Sequence, residues 1–153
     1  LPYQISILKI FFASPFGKPF FLTGGTALSA FYLAHRESKD FDFFTLGGLD
    51  LVAAENTMRA IAKETRSKMM IKVRFETYCE IYLESEDGRW VQRIDLVKEI
   101  PRHFGKIVDV DGVRVDSLEN IGSNKILTIF GRLEIKDYVD LYLILTKTKL
   151  NFD

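Results

Sequence analysis

A chain of 153 residues, 47% hydrophobic and carrying 13 phenylalanines, can bury one substantial core, which excludes a disordered chain and makes a second large domain unexpected. Its 21 basic and 21 acidic residues cancel, so the strongly basic balance of a dedicated nucleic-acid binder is absent. One cysteine, Cys79, and two scattered histidines, His35 and His103, exclude an internal disulfide framework and a zinc cluster.

The reading is therefore a single domain over residues 1–153, with residues 116–153 as a C-terminal helical region, in a reducing cytoplasm. No run approaches the roughly 18 apolar residues of a membrane span, and the stretch before Phe20 lacks a basic start followed by a cleavage site. Neither a membrane nor secretion is expected. The sequence begins at Leu1, not methionine, and the native start stays open.

In chain order, Pro2 to Phe12 predicts a short apolar helix, ended by the Pro/Gly-rich stretch Ser14 to Pro19. A strand follows at Phe20 to Leu22. Gly24-Gly25 then breaks the chain, and Thr26 to His35 predicts a helix with the apolar stripe Ala27, Leu28, Phe31 and Tyr32. Phe41 to Phe44 predicts a strand and Leu51 to about Arg66 a helix. From Ile71 to Leu83 apolar residues alternate, with Ile71, Val73, Phe75, Cys79, Ile81 and Leu83 on one side, which is the period of a strand.

The turn signal Asp87-Gly88 joins that run to a strand at Trp90 to Val97 as an antiparallel hairpin, and Asp111-Gly112 centres a second hairpin over Ile107 to Val115. Asp116 with Glu119 predicts a capping box, followed by helical periodicity from Leu118 to Leu145 that breaks near Gly131 into two helices. Interleaved strands and helices with hairpins predict an α+β fold: helices packed on a mixed or antiparallel sheet, with a C-terminal helical pair.

Three features carry chemistry. Asp40 and Asp42 lie two apart in a predicted strand, which puts both carboxylates on one face while Phe41 and Phe43 enter the other. Such a pair suits Mg²⁺, which takes one or two carboxylates plus substrate phosphates; a solvated strand end is the ordinary alternative. Upstream, a Gly-Gly turn between strand and helix frees backbone N–H groups to face a phosphate, with Thr26 able to add a hydroxyl, or is a plain tight turn. Asp95 alternates with Ile94 and Leu96 and so faces away from their layer; it either pairs with Arg93 or Lys98 or joins Asp40 and Asp42 as a third acid.

These segments resemble a known family. FLTGGTALSAFYLAHRESKDFDFF is similar to motif I of the AbiEii/AbiGii toxin nucleotidyltransferases of the polymerase-beta-like superfamily, where Gly-Gly, a helix, a His-Arg-x-Ser step and Asp-x-Asp follow in order. RIDLV resembles that family's third-acid strand, and KILTIFGRLEIKDYVDLYLIL its C-terminal helical motif. The likeness covers residues 20–45, 91–97 and 117–143.

The resemblance implies a polymerase-beta-like nucleotidyltransferase fold and metal-dependent transfer of a nucleoside monophosphate from an NTP, pyrophosphate leaving, to an acceptor hydroxyl on tRNA or protein. It implies Mg²⁺ or Mn²⁺ on Asp40, Asp42 and Asp95, the last helping to activate the acceptor. It also implies a triphosphate held by Gly24, Gly25 and Thr26, a helical Lys125 on phosphates, and an Asp-x-x-Asp step at Asp137 and Asp140. Arg36 either touches phosphate or braces the loop before Asp40, while His35 braces. A toxin with an antitoxin partner is within the family's range.

Acids for metal and cations for phosphates are the parts such transfer needs. Asp137 and Asp140 share a helix face, and Lys136 and Arg132 could answer them in a surface salt-bridge network. Lys125 and Arg132, seven apart, also share a face, which allows a joint nucleotide-binding role. Arg59, Lys63, Arg66, Lys68, Lys72 and Arg74 gather opposite only Glu64, either to hold RNA phosphates or as solvated faces. Tyr138 and Tyr142, at helical spacing, are expected in the core, and His103 and Cys79 are expected to be structural. A non-catalytic nucleotide-binding regulatory module is the alternative reading, and a different Mg²⁺-dependent phosphohydrolase a third. Three acids that repel without metal favour the enzyme.

Overall fold

The computed structural model describes residues 1–99, 102–132 and 134–150. Helix α1 (Pro2–Ala13) opens with its proline at the first turn, where no backbone donor is lost, and buries Ile7, Leu8, Phe11 and Phe12. Strand β1 (Phe20–Thr23) is buried along its whole length because it lies inside the sheet. Gly24 takes φ +68, the left-handed backbone that turns the chain out of β1. The helix expected over Thr26 to His35 begins instead as a short turn, α2 (Gly24–Ala27), and widens into a π-helical stretch, Leu28–Leu33. That stretch closes with Ala34 N–H donating to the Ser29 carbonyl at 3.0 Å, five residues back.

Strand β2 (Phe41–Thr45) alternates buried and half-buried residues, and Asp50 caps α3 (Leu51–Glu64) by accepting from the Val52 and Ala53 N–H groups at 3.0 Å. The continuous strand expected from Ile71 to Leu83 is two strands, β3 (Ser67–Phe75) and β4 (Tyr78–Ser85), paired antiparallel. Alternation continues across the turn at Glu76-Thr77 and so conceals it, and within β3 the register shifts between Ile71 and Val73. A bulge reverses which face follows, so Phe75 is 64% exposed although it keeps step with buried Ile81 and Leu83 in the sequence. Strand β5 (Val91–Lys98) completes the hairpin foreseen at Asp87-Gly88, and β6 (Val108–Val110) with β7 (Val113–Val115) forms the one at Asp111-Gly112.

The seven strands form one mixed sheet in the order β3-β4-β5-β2-β1-β7-β6, with β2 parallel to β5 and β1 parallel to β7. One face packs Phe41, Phe43, Ile81, Ile94 and Leu96 against α1 and α3, with the Phe11 and Phe43 rings stacked 4.1 Å apart. The C-terminal pair is α4 (Leu118–Gly131) and α5 (Ile135–Lys147). The capping box expected from Asp116 does not form: Ser117 is the cap, accepting from Asn120 N–H at 3.0 Å, and Asp116 is buried behind it. No helix among the described residues is long and apolar enough to cross a membrane.

Candidate active site

The site is built where β1 ends beside β2. Thr23 pairs with Asp42 across the antiparallel β1–β2 ladder, and Asp42 pairs with Asp95 across the parallel β2–β5 ladder. Because the buried partners in these strands alternate with them, both acids stand on the face away from α1 and α3. Gly24 sits directly against Asp42: a Cβ added there would lie 2.1 Å from Asp42 Oδ2. At Gly25 an added Cβ would lie 2.6 Å from Arg36 Nη2. Asp40 lies one residue ahead of β2 and is exposed, so only Asp42 of the Asp-x-Asp pair is held by the ladder.

A cleft of about 530 Å³ opens over this corner, lined among others by Thr23, Gly24, Gly25, Asp42, Lys125 and Arg132. The glycine turn, one predicted acid and two predicted cations therefore share one opening. The Thr26 hydroxyl is directed elsewhere, to the Asp40 carbonyl and to Ser38 Oγ at 3.0 Å, and so ties the loop before β2 to the glycine turn.

Burial, then Asp95 and Asp40, push the Asp42 carboxyl up to about 7, against a weaker pull from Lys125 and Arg93. Burial also raises Asp95, opposed by its bonds to Arg93. Among the described residues, no group of three or more His, Cys, Asp or Glu side chains is drawn together to hold a metal ion. The donor set nonetheless fits a hard divalent cation, because Asp42 and Asp95 are adjacent carboxylates whose mutual repulsion lacks a full counter-charge. Mg²⁺ characteristically takes one or two carboxylates and completes its shell with phosphate oxygens.

Opposite the acids, Lys125 of α4 reaches two carboxylates of α5. Its Nζ is 2.7 Å from Asp137 Oδ1 and 2.7 Å from Asp140 Oδ2. Arg36 grips Asp140 with both arms at 2.8 and 2.7 Å, His35 Nε2 adds a contact at 2.7 Å, and Arg132 Nε donates to Asp137 at 3.0 Å. Burial raises both acids, but these bonds outweigh it and hold Asp137 and Asp140 below the usual carboxylate range. The surface network expected for the pair is thus a buried one, since both acids are fully buried, and Lys136 pairs with Glu134 instead. His35 braces, as expected, and Arg36 carries the loop before Asp40 onto α5.

Periodicity alone misplaced Tyr138 and Tyr142, which are 46% and 65% exposed rather than in the core. The buried stripe of α5 is Asp137, Asp140 and Ile144, and polar atoms in a core stripe hide it from a hydrophobic reading. Two further acids flank the site: Glu80, which no motif singles out, and Asp116, expected only as part of a capping box. Glu80 lies beside Asp95 across β4–β5, and Asp116 is buried with bonds from Thr23, His103 Nε2 at 2.8 Å and Asn120 Nδ2 at 3.0 Å. The isolated acid in Val115-Asp116-Ser117 ahead of a helix was the only signal for the latter. In the basic patch, Glu55 answers Arg59 at 2.6 Å and Arg74 at 3.6 Å, which leaves less free charge than the sequence count.

The fold is that of the polymerase-beta-like nucleotidyltransferases. Over 97% of its length the chain superposes on JHP933 from Helicobacter pylori with a TM-score of 0.70 and 21% identity, spanning 65% of that protein. A second H. pylori structure, assigned as a nucleotidyltransferase, matches at TM-score 0.70 and 22% identity over 97% of this chain and 67% of its own. The Megavirus polyadenylate synthase matches 94% of the chain with a TM-score of 0.62 and 14% identity, and the chain spans 31% of it. Residues 6–153 match the family described as nucleotidyl transferase AbiEii toxin, type IV toxin–antitoxin system, and the chain belongs to that family. No curated protein matches it.

Proposed function

We propose that the protein transfers a nucleoside monophosphate from an NTP to an acceptor hydroxyl on tRNA or protein, with Mg²⁺ or Mn²⁺ required, and acts as the toxin of a toxin–antitoxin pair in the cytoplasm. Residues 1–153 would serve as one catalytic domain, whose C-terminal helical region, 116–153, supplies Lys125 and Arg132 to the cleft. The observation that carries the reading is the contact of Gly24 with Asp42, in register with Asp95, inside a cleft whose other wall is Lys125 and Arg132. The family's description supports the toxin role and an antitoxin partner.

In this reading Asp42 and Asp95, with Asp40 at the rim, hold the divalent ion, which supplies charge neutralisation on the phosphates when bound. Gly24 and Gly25 let the backbone approach the triphosphate without a side chain between. Lys125, Arg132 and Arg36 supply positive charge, with Asp137 and Asp140 fixing where they stand. Thr26 holds Asp40 in place through its carbonyl. Asp95 takes the acceptor proton, the acceptor oxygen bonds to the α-phosphorus, and the bond to the bridging oxygen breaks, its electron pair leaving with pyrophosphate.

The test is label transfer from each NTP to total tRNA, or to protein, by wild type and Asp42→Asn in the presence of Mg²⁺. Wild type is expected to label one class of acceptor and the variant none. Equal labelling by both removes the assigned site, and label held by wild type without transfer identifies a binding module.

A further inference from the structure

We infer that Arg93 is the resident counter-ion of Asp95 and Glu80 its second seat, so that these two residues set how strongly the acid site takes a divalent cation. The inference rests on the metal-binding role proposed for Asp42 and Asp95. Glu80, Asp95 and Asp42 stand in register on three adjacent strands, which makes a row of carboxylates on one face of the sheet. Arg93, two residues before Asp95 on the same strand, shares that face.

Its guanidinium forks onto Asp95, with Nε 3.1 Å from Oδ1 and Nη2 2.9 Å from Oδ2. The same Nη2 lies 3.2 Å from Glu80 Oε2 and 3.3 Å from the Tyr78 hydroxyl, which itself donates to Glu80 at 3.0 Å. Arg93 therefore already touches both carboxylates. Its side chain is 36% exposed, so it can turn from one to the other without opening the core.

A divalent cation and a guanidinium compete for the same lone pairs of Asp95. With the fork on Asp95, two acids of the row are answered by one arginine, and Asp95 is withheld from a cation that it would share with Asp42. When a cation takes Asp95, Arg93 keeps Glu80 and the hydroxyl of Tyr78, so the exchange leaves no bare charge. Glu80 lowers the cost of releasing Asp95, and Arg93 raises the cost of taking it. An arginine that merely braced Asp95 for the metal would have the opposite effect.

The experiment is a Mn²⁺ titration followed by EPR of the free ion, without nucleotide, on the whole protein. Arg93→Gln is expected to bind Mn²⁺ roughly two- to fivefold more tightly than wild type, the size of a partly exposed ion pair, and Glu80→Gln more weakly by a similar factor. Arg93→Lys, which keeps the charge but loses the fork, falls between wild type and Arg93→Gln and guards against a folding defect in one variant. Arg93→Gln binding no more Mn²⁺ than wild type, or Glu80→Gln binding more, overturns the inference. Asp42→Asn and Asp95→Asn separate the two levels: if both bind Mn²⁺ as wild type does, the metal site itself is wrong.

Discussion

Lys125 is caught between Asp137 and Asp140, with its Nζ 2.7 Å from an oxygen of each, while Arg36 and His35 close on Asp140 from the far side. Two carboxylates one helical turn apart are tolerated in the interior only because α4 and the loop before β2 bring cations to them. Removing one member strands the others. Asp140→Asn is expected to lose about 3–5 kcal/mol in urea denaturation, the usual cost of leaving a buried partner unpaired. A loss below about 1 kcal/mol would mean that the network relaxes to solvent.

Asp42 offers a pH test. Its carboxyl titrates ordinarily at 3.8 and is raised to about 7 in the folded chain. The native protein thus keeps a proton that the unfolded chain has released, so Asp42 contributes most to stability below its ordinary value. That contribution falls as pH rises toward 7 and stays low above. In chelator, the drop in urea midpoint between pH 4.5 and 7.5 is expected to be smaller in Asp42→Asn than in wild type. Equal drops would place the titrating group elsewhere.

The two glycines of the turn are not equivalent. Gly24→Ala meets both a left-handed backbone, worth about 1–2 kcal/mol against an L-residue, and the Asp42 carboxylate. Gly25→Ala has no left-handed backbone to adopt and meets Arg36 Nη2, a side-chain atom that shifts only by loosening its fork on Asp140. Binding of a fluorescent NTP analogue is expected to be abolished by the first and weakened by the second. The reverse order would show that the turn, not the Gly24–Asp42 contact, governs the site.

Asp116 is a second buried hub, linking Thr23 at the mouth of the glycine turn to His103 and Asn120. Asp116→Ala leaves these donors in the interior without an acceptor and is expected to cost about 3 kcal/mol or more by denaturant titration.

On α5, Tyr142→Ser should shift stability by no more than about 0.5 kcal/mol, as at ordinary surface positions, whereas Ile144→Ala should cost about 2–5 kcal/mol. Similar losses for both would return the tyrosine to the core.

Sequence by itself determined whatever is decided within a few residues: the Gly-Gly break after β1, the hairpins at Asp87-Gly88 and Asp111-Gly112, the helical pair divided near Gly131, and the outward face of Asp42 and Asp95. Turn sterics and side-chain period are local quantities, and they are written in the chain. Tertiary structure alone decided that β2 runs parallel to β5 so that Asp42 meets Asp95, that a bulge turns Phe75 outward, and that Arg36 reaches Asp140 across 104 residues. Contacts of that kind depend on which faces pack together, and no period in the sequence encodes them. The roles of Glu80 and Asp116 are not legible in the sequence for the same reason: an acid becomes part of a site when a neighbouring strand or helix supplies its partner, and that partner can lie far along the chain.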